Sequence, residues 1–242
     1  IKVFFAERPG TATVDMAMSF DAGSSADLGR KDGIEGFTNS LLGEGTQSLT
    51  GNELADREER LGARIYTTGD VDTTTVVASA LARNLPDTID LWADMIRHPA
   101  FREEDVARAK SQALSRIAQS ETDVGSLASD AFGSVIYGED HAYARQLGNR
   151  RAVIESYGPA DFEEFRQAFI RPDNATIYAA GATDYTSLMA ELEDAFGGWQ
   201  APDLPLGTKS VTSLVPQAGP RVILIDKPGA IQTALRVGRI VP

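Results

Sequence analysis

GIEGFTNSLLGEGT (residues 33–46) and LTGNELADREERLGARIYTTGDVDTTTVVASAL (residues 49–81) are the two stretches whose reading decides the fold. The first reads as a helix from Ile34 to Leu42, closed by Gly43 and Gly45. In the second, Thr50 stands three residues before Glu53, the spacing of a capping box. Leu54, Leu61 and the terminating Gly62 complete a helix of about three turns. Two strand-like runs follow, Arg64–Thr68 and Thr73–Leu81, and the second is rich in β-branched residues.

Working outward, residues 1–8 and 11–20 read as two strands joined around Pro9-Gly10. Val14, Met16, Met18 and Phe20 alternate onto one side, the period of a half-buried strand. Gly23–Lys31 is a polar loop. Downstream, Asn84 and Pro86 open a helix with Ile89, Trp92, Met95 and Ile96 on one side, and His98-Pro99 stops it. Glu103, Glu104 and Asp105 place negative charge at the start of a long helix carrying Val106, Ala109, Ala113 and Ile117. Further helices are expected at Val124–Tyr137, from about Arg151, from about Ala160, and over Tyr185–Phe196, with a strand at Thr176–Ala180. Gly138–Asn149 reads as an irregular loop. The order predicts an α+β fold, an antiparallel sheet with helices packed on one face.

Residues 200–219 hold Pro202, Pro205 and Pro216 and read as a linker. After it, RVILIDKPGAIQTALRVGRIV (residues 221–241) repeats the opening of the chain. At an offset of 219, Pro9-Gly10 returns as Pro228-Gly229, Glu7 as Asp226, Arg8 as Lys227, and Met16 and Met18 as Leu235 and Val237. The expected division is 1–199 as one domain, 200–219 as linker, and 220–242 as the first hairpin of a second homologous domain. A lone hairpin cannot bury its apolar face. The reading therefore predicts a natural protein about twice this length.

Composition closes several routes. Of 242 residues, 42% are hydrophobic and 24% charged, the balance of a globular chain. The net charge of −12 opposes binding to duplex nucleic acid or to an anionic membrane surface. No apolar run is long enough for a membrane span. The chain lacks cysteine, which removes thiolate zinc sites and cysteine nucleophiles and suits cytoplasm and periplasm alike. His98 and His141 are the two histidines, too few for a cysteine-free zinc site of the usual kind.

The series GIEGFTNSLLGEGT, NELADREERLGARI and DVDTTTVVASALARNLPDTIDLWADMIRHPAFREEDVARAK resembles the pitrilysin/insulinase family of zinc peptidases, which includes the mitochondrial processing peptidase, over essentially the whole chain. The most specific parts are Gly33–Thr46 and the stretch from Leu61–Gly62–Ala63 to Asp72–Thr73–Thr74. The resemblance implies a metallopeptidase-like domain. Active members carry H-x-x-E-H, in which two imidazoles on one helical face hold Zn²⁺ and a carboxylate reaches its water. Aligned on Gly33 and Gly45-Thr46, those three positions hold Gly36, Asn39 and Ser40, and the distal glutamate position falls at or beside Arg116. An amide is no general base, and a guanidinium stands where a cation would sit.

The resemblance thus implies a non-catalytic member: no cofactor in this chain, zinc in a homologous partner subunit, and a shared chamber for extended peptide. In the family, the strand equivalent to Arg64-Ile65-Tyr66-Thr67-Thr68-Gly69 receives peptide by strand addition, and these residues suit a short edge strand. The alternatives are a structural or assembly subunit without peptide handling, and an autonomous peptidase with unusual ligands such as Glu35 and Glu44. The acidic run Glu53, Asp56, Glu58, Glu59 reads as a solvated helix face, and His98 as structural.

Overall fold

A computed structural model of the chain describes residues 1–138, 141–144, 151–209 and 219–240. Much of the expected 138–149 loop and residues 210–218 of the expected linker lie outside the described residues. The strands are β1 (Lys2–Glu7), β2 (Thr13–Phe20), β3 (Arg64–Gly69), β4 (Thr74–Leu81) and β5 (Ala175–Gly181). They form one sheet in the order β1-β5-β2-β4-β3. The helices are α1 (Ile34–Leu42), α2 (Gly51–Leu61), α3 (Leu85–Arg97), α4 (Glu103–Ser120), α5 (Val124–Tyr137), α6 (Arg151–Glu155), α7 (Pro159–Phe169) and α8 (Tyr185–Phe196).

Alternation decides which face of the sheet is covered. Val14, Met16, Met18 and Phe20 are buried, as are Val76, Ala78 and Ala80 on β4 and Ala175, Ile177 and Ala179 on β5. They meet the apolar stripe of α3, where Ile89, Trp92, Met95 and Ile96 are buried, and Phe162, Phe165 and Phe169 of α7. Each of the larger of these side chains, from Val upward, stabilises the fold by roughly 1.5–3 kcal/mol when taken out of water. On the opposite face, Phe4, Tyr178, Ala17, Val77 and Tyr66 stand in register across all five strands. Phe4 stacks on Tyr178 with centroids 5.4 Å apart.

The α+β architecture and the helices on one face agree with the sequence reading. Three of the four strand pairings are antiparallel, whereas β1 runs parallel to β5. The expected β1–β2 pairing does not form, because β5 lies between them. Gly181 permits this. Glu7 and Val14 both register with it, so the chain from Arg8 to Ala12 passes over the end of β5. Its φ is +155°, and a Cβ there would fall 2.4 Å from the Thr13 carbonyl oxygen.

The turn repeat survives in three dimensions. Thr11 N–H donates to the Arg8 carbonyl at 3.2 Å, and Ala230 N–H to the Lys227 carbonyl at 3.1 Å, the same bond displaced by the sequence offset. The arms around Pro228-Gly229 are exposed and join no strand among the described residues. This segment lies along α5, with Arg236 donating to the Ser129 hydroxyl at 3.0 Å.

Helix α1 is fastened to the sheet by polar contacts beneath its apolar ones. Asp27 accepts from the backbone N–H groups of Gly33 (2.9 Å) and Glu35 (3.0 Å), satisfying donors that the first turn leaves free. Glu35 is 2% exposed. Its carboxyl accepts from the Thr74 hydroxyl at the start of β4, at 2.5 Å. Burial pushes the Glu35 pKa up to about 7; the Thr74 bond opposes the shift, and Asp27 and Asp70 reinforce it. Gly69 closes over this pair, since a Cβ there would lie 2.5 Å from Glu35 Oε1.

Two outcomes are expected. Gly181→Ala should cost about 2–4 kcal/mol in urea unfolding, and a loss under about 1 kcal/mol would contradict the close approach of β5 to Thr13. Between the usual carboxyl pKa of 4.5 and about 7, the folded state keeps a proton on Glu35 that the unfolded chain releases. Stability should therefore fall as pH rises through that window, by up to about 3 kcal/mol, and level off above it. Glu35→Gln should flatten this slope in unfolding curves taken at pH 5, 6, 7 and 8, and an unchanged slope would reject the assignment.

Candidate functional site

Helices α1 and α4 face each other across a cleft of about 770 Å³, closed at one end by the first half of α5 and by Arg236. Helical spacing selects the lining. Gly33, Gly36, Phe37, Ser40 and Glu44 share one side of α1 and its flanks, and Gln112, Ala113, Arg116 and Ile117 share one side of α4. Gly36, Ser40 and Arg116, three of the four positions singled out in the sequence, thus meet on one cavity. Gly36 opens the α1 wall. The Ser40 hydroxyl donates back to the Phe37 carbonyl at 2.9 Å.

Asn39, the fourth position, is not part of that lining. Its side chain turns toward β3, where a Cβ at Gly69 would lie 3.1 Å from its Nδ2. There it is 7% exposed, and its Oδ1 has no partner among the described residues. Its backbone carbonyl accepts from the Thr67 hydroxyl at 2.9 Å, tying α1 to β3.

Zinc does not fit these four positions: one has no side chain, one turns away, one is a helix-bonded hydroxyl and one is a cation. Among the described residues, no group of three or more His, Asp or Glu is arranged to hold a metal ion. Glu35 and Glu44 do not converge. Glu35 lies beneath Gly69 and Thr74, whereas Glu44 borders the cleft paired with Arg108 at 2.6 Å. His98 caps the end of α3 and contacts Asp94 at 3.0 Å. His141 is buried against Tyr137 and Tyr143, and its Nδ1 accepts from the Tyr143 N–H.

The other flank of α1 meets β3, which forms one edge of the sheet. Arg64, Tyr66 and Thr68 lie on the open face, where the Arg64 guanidinium sits 5.0 Å from the Tyr66 ring centre. Ile65, Thr67 and Gly69 alternate toward α1. Ile65 N–H does not pair with β4; it donates outward to Glu58 Oε2 on α2 at 3.0 Å. Strand alternation then places the Thr67 and Gly69 N–H groups on the same outer side, available to a further strand. Glu58 was expected to be solvated. It is half-buried, and burial raises its carboxyl pKa against the Ile65 bond. Sequence spacing gave no sign of this, because the contact depends on how α2 folds back after Gly62. In the same acidic run, Glu53 completes the capping box with Thr50, whose N–H donates to its Oε2 at 2.8 Å.

No helix among the described residues is long and apolar enough to cross a membrane. Residues 2–147 match the family model for insulinase (peptidase family M16), and residues 157–242 match that for the peptidase M16 inactive domain. An uncharacterized zinc protease of Bacillus subtilis, YmxG, is 20% identical over 201 residues, 83% of this chain and 49% of that protein. The mouse mitochondrial-processing peptidase subunit beta is 22% identical over 191 residues, 79% of this chain and 39% of that protein. The chain thus spans about half the length of the curated relatives it matches, or less. The crystal structure of a peptidase M16 inactive domain from Pseudomonas fluorescens superposes with a TM-score of 0.78 at 24% identity, over 90% of this chain and 52% of that one. The periplasmic protease PqqL of Escherichia coli gives 0.73 at 17% identity, over 88% of this chain and 24% of that one. With a family model matched over more than half its length, the chain belongs to peptidase family M16, the insulinase family.

Proposed function

We propose that this chain is a non-catalytic member of its family, which holds extended peptide and relies on a homologous zinc-bearing partner to cleave it. The observation that carries the reading is the convergence of Gly36, Ser40 and Arg116 on one cleft, where the resemblance expects metal ligands. The peptide-holding element is the outer edge of β3, where main-chain groups give affinity and the side chains of Arg64, Tyr66 and Thr68 flank the added strand. In this reading residues 220–242 begin a second homologous domain, and the shared turn at Pro9-Gly10 and Pro228-Gly229 supports it.

One contact favours the alternative of a structural or assembly subunit: Glu58 already occupies the Ile65 N–H, shortening the edge open to peptide. Peptide binding separates the two readings, since a pure scaffold shows none.

The isolated chain should retain well under one zinc per molecule after dialysis and show no chelator-sensitive hydrolysis of unfolded peptides. Mixing with a partner that carries H-x-x-E-H should raise that partner's turnover. Stoichiometric zinc with chelator-sensitive activity in this chain alone would overturn the proposal, as would a partner indifferent to it.

Strand addition makes a second demand. Alternating N-methylation of a bound peptide should weaken it about tenfold or more, because each backbone hydrogen bond lost costs about 1 kcal/mol. Glu58→Ala should free a third outward N–H and tighten binding severalfold in calorimetry. Equal affinities for methylated and unmethylated peptide would exclude the β3 edge.

A further inference from the structure

Arg116 offers five N–H donors in a planar fork, the arrangement that matches the two oxygens of a carboxylate. Arg116 is exposed at the mouth of the cleft between α1 and α4, and among the described residues its guanidinium makes no hydrogen bond or ion pair. Gln112, one turn earlier on α4, lines the same wall and adds an amide donor. Facing them, Gly36 leaves room at the α1 wall, and the buried Ala113, Phe37 and Ile117 form an apolar floor.

The acids bordering the cleft do not neutralise Arg116. Glu44 is held by Arg108 at 2.6 Å. Asp123 caps α5 through the Ser126 N–H at 2.6 Å, with Arg236 close by. The third, Asp130, forms no ion pair with Arg116 among the described residues. Among the described residues, the cleft therefore presents the Arg116 guanidinium without an ion-pair partner, beside an amide donor and above an apolar floor, with Arg236 at its far end.

We propose that this cleft is a carboxylate-binding site in which Arg116 grips both oxygens of the anion and Gln112 adds a further donor. The anion is a peptide's C-terminal carboxylate or an acidic side chain within it. This rests on the peptide-holding reading only for what carries the carboxylate; the site itself stands on the geometry of α1 and α4.

The experiment titrates the full chain with N-acetylglycine and with N-acetylglycinamide, following the Arg116 Nε–Hε resonance assigned from the spectrum of Arg116→Ala. N-acetylglycine should shift it saturably and the amide should leave it in place. No shift with either compound, or equal shifts with both, would overturn the proposal. Three peptides then identify the source: one with a free C-terminus, its C-terminal amide, and an amide with one internal Glu. Arg116→Ala should weaken the carboxylate-bearing peptides about tenfold or more and leave the acid-free amide within about twofold. An equal loss for all three would reduce Arg116 to a structural role and defeat the inference. A saturable N-acetylglycine shift without binding of any peptide would leave the carboxylate site standing and remove the peptide-holding function instead.

Discussion

The hydrogen bond from the Thr74 hydroxyl to the buried Glu35 carboxyl, with Asp27 holding the first turn of α1 from the other side, fixes where that helix lies against the sheet. The other functional features follow from that placement. A carboxyl buried this deeply is costly when ionised, and its elevated pKa is the trace of that cost. Gly69 makes the arrangement possible, because any larger residue would drive a carbon into Glu35. The cross-link between helix and sheet edge is thus polar, buried and dependent on protonation, whereas the bulk of the core around Trp92 and the α7 phenylalanines is apolar.

With α1 fixed, its two flanks serve two surfaces. One looks across the cleft to α4, the other lies beneath β3. The turn of the helix divides neighbouring residues between them: Gly36 and Ser40 on the cleft, Asn39 under the strand. A change in how α1 sits would move both surfaces together. In the proposed reading Arg116 supplies the cleft with a carboxylate-binding fork, and the β3 edge offers backbone donors. These complement each other for an extended peptide, which has amide groups along its length and a carboxylate at its end.

The element order was legible because each element announces itself locally. Thr50 and Glu53 form the capping box that their spacing predicts, and α1 has the boundaries read from Ile34 and Leu42. Alternation in β2 assigns its buried face correctly. Strand neighbourhood was not legible. Pro9-Gly10 looks like a hairpin turn, but a turn sets only the local reversal, and β5, more than 150 residues later, takes the place beside both strands. Nor did the acidic pattern of α2 show that Glu58 would cap the Ile65 N–H while its neighbours meet solvent.

By itself the sequence determined the order of the secondary elements and the buried faces of β2 and α3. These rest on short-range spacing, which the helical and strand periods convert directly into geometry. Only the tertiary structure decided that Gly36, Ser40 and Arg116 share a cleft while Asn39 leaves it, that Arg116 stands there without an ion-pair partner among the described residues, and that Glu35 is buried against Thr74. Those facts depend on distances between segments far apart in the chain, set by how helices and sheet pack together.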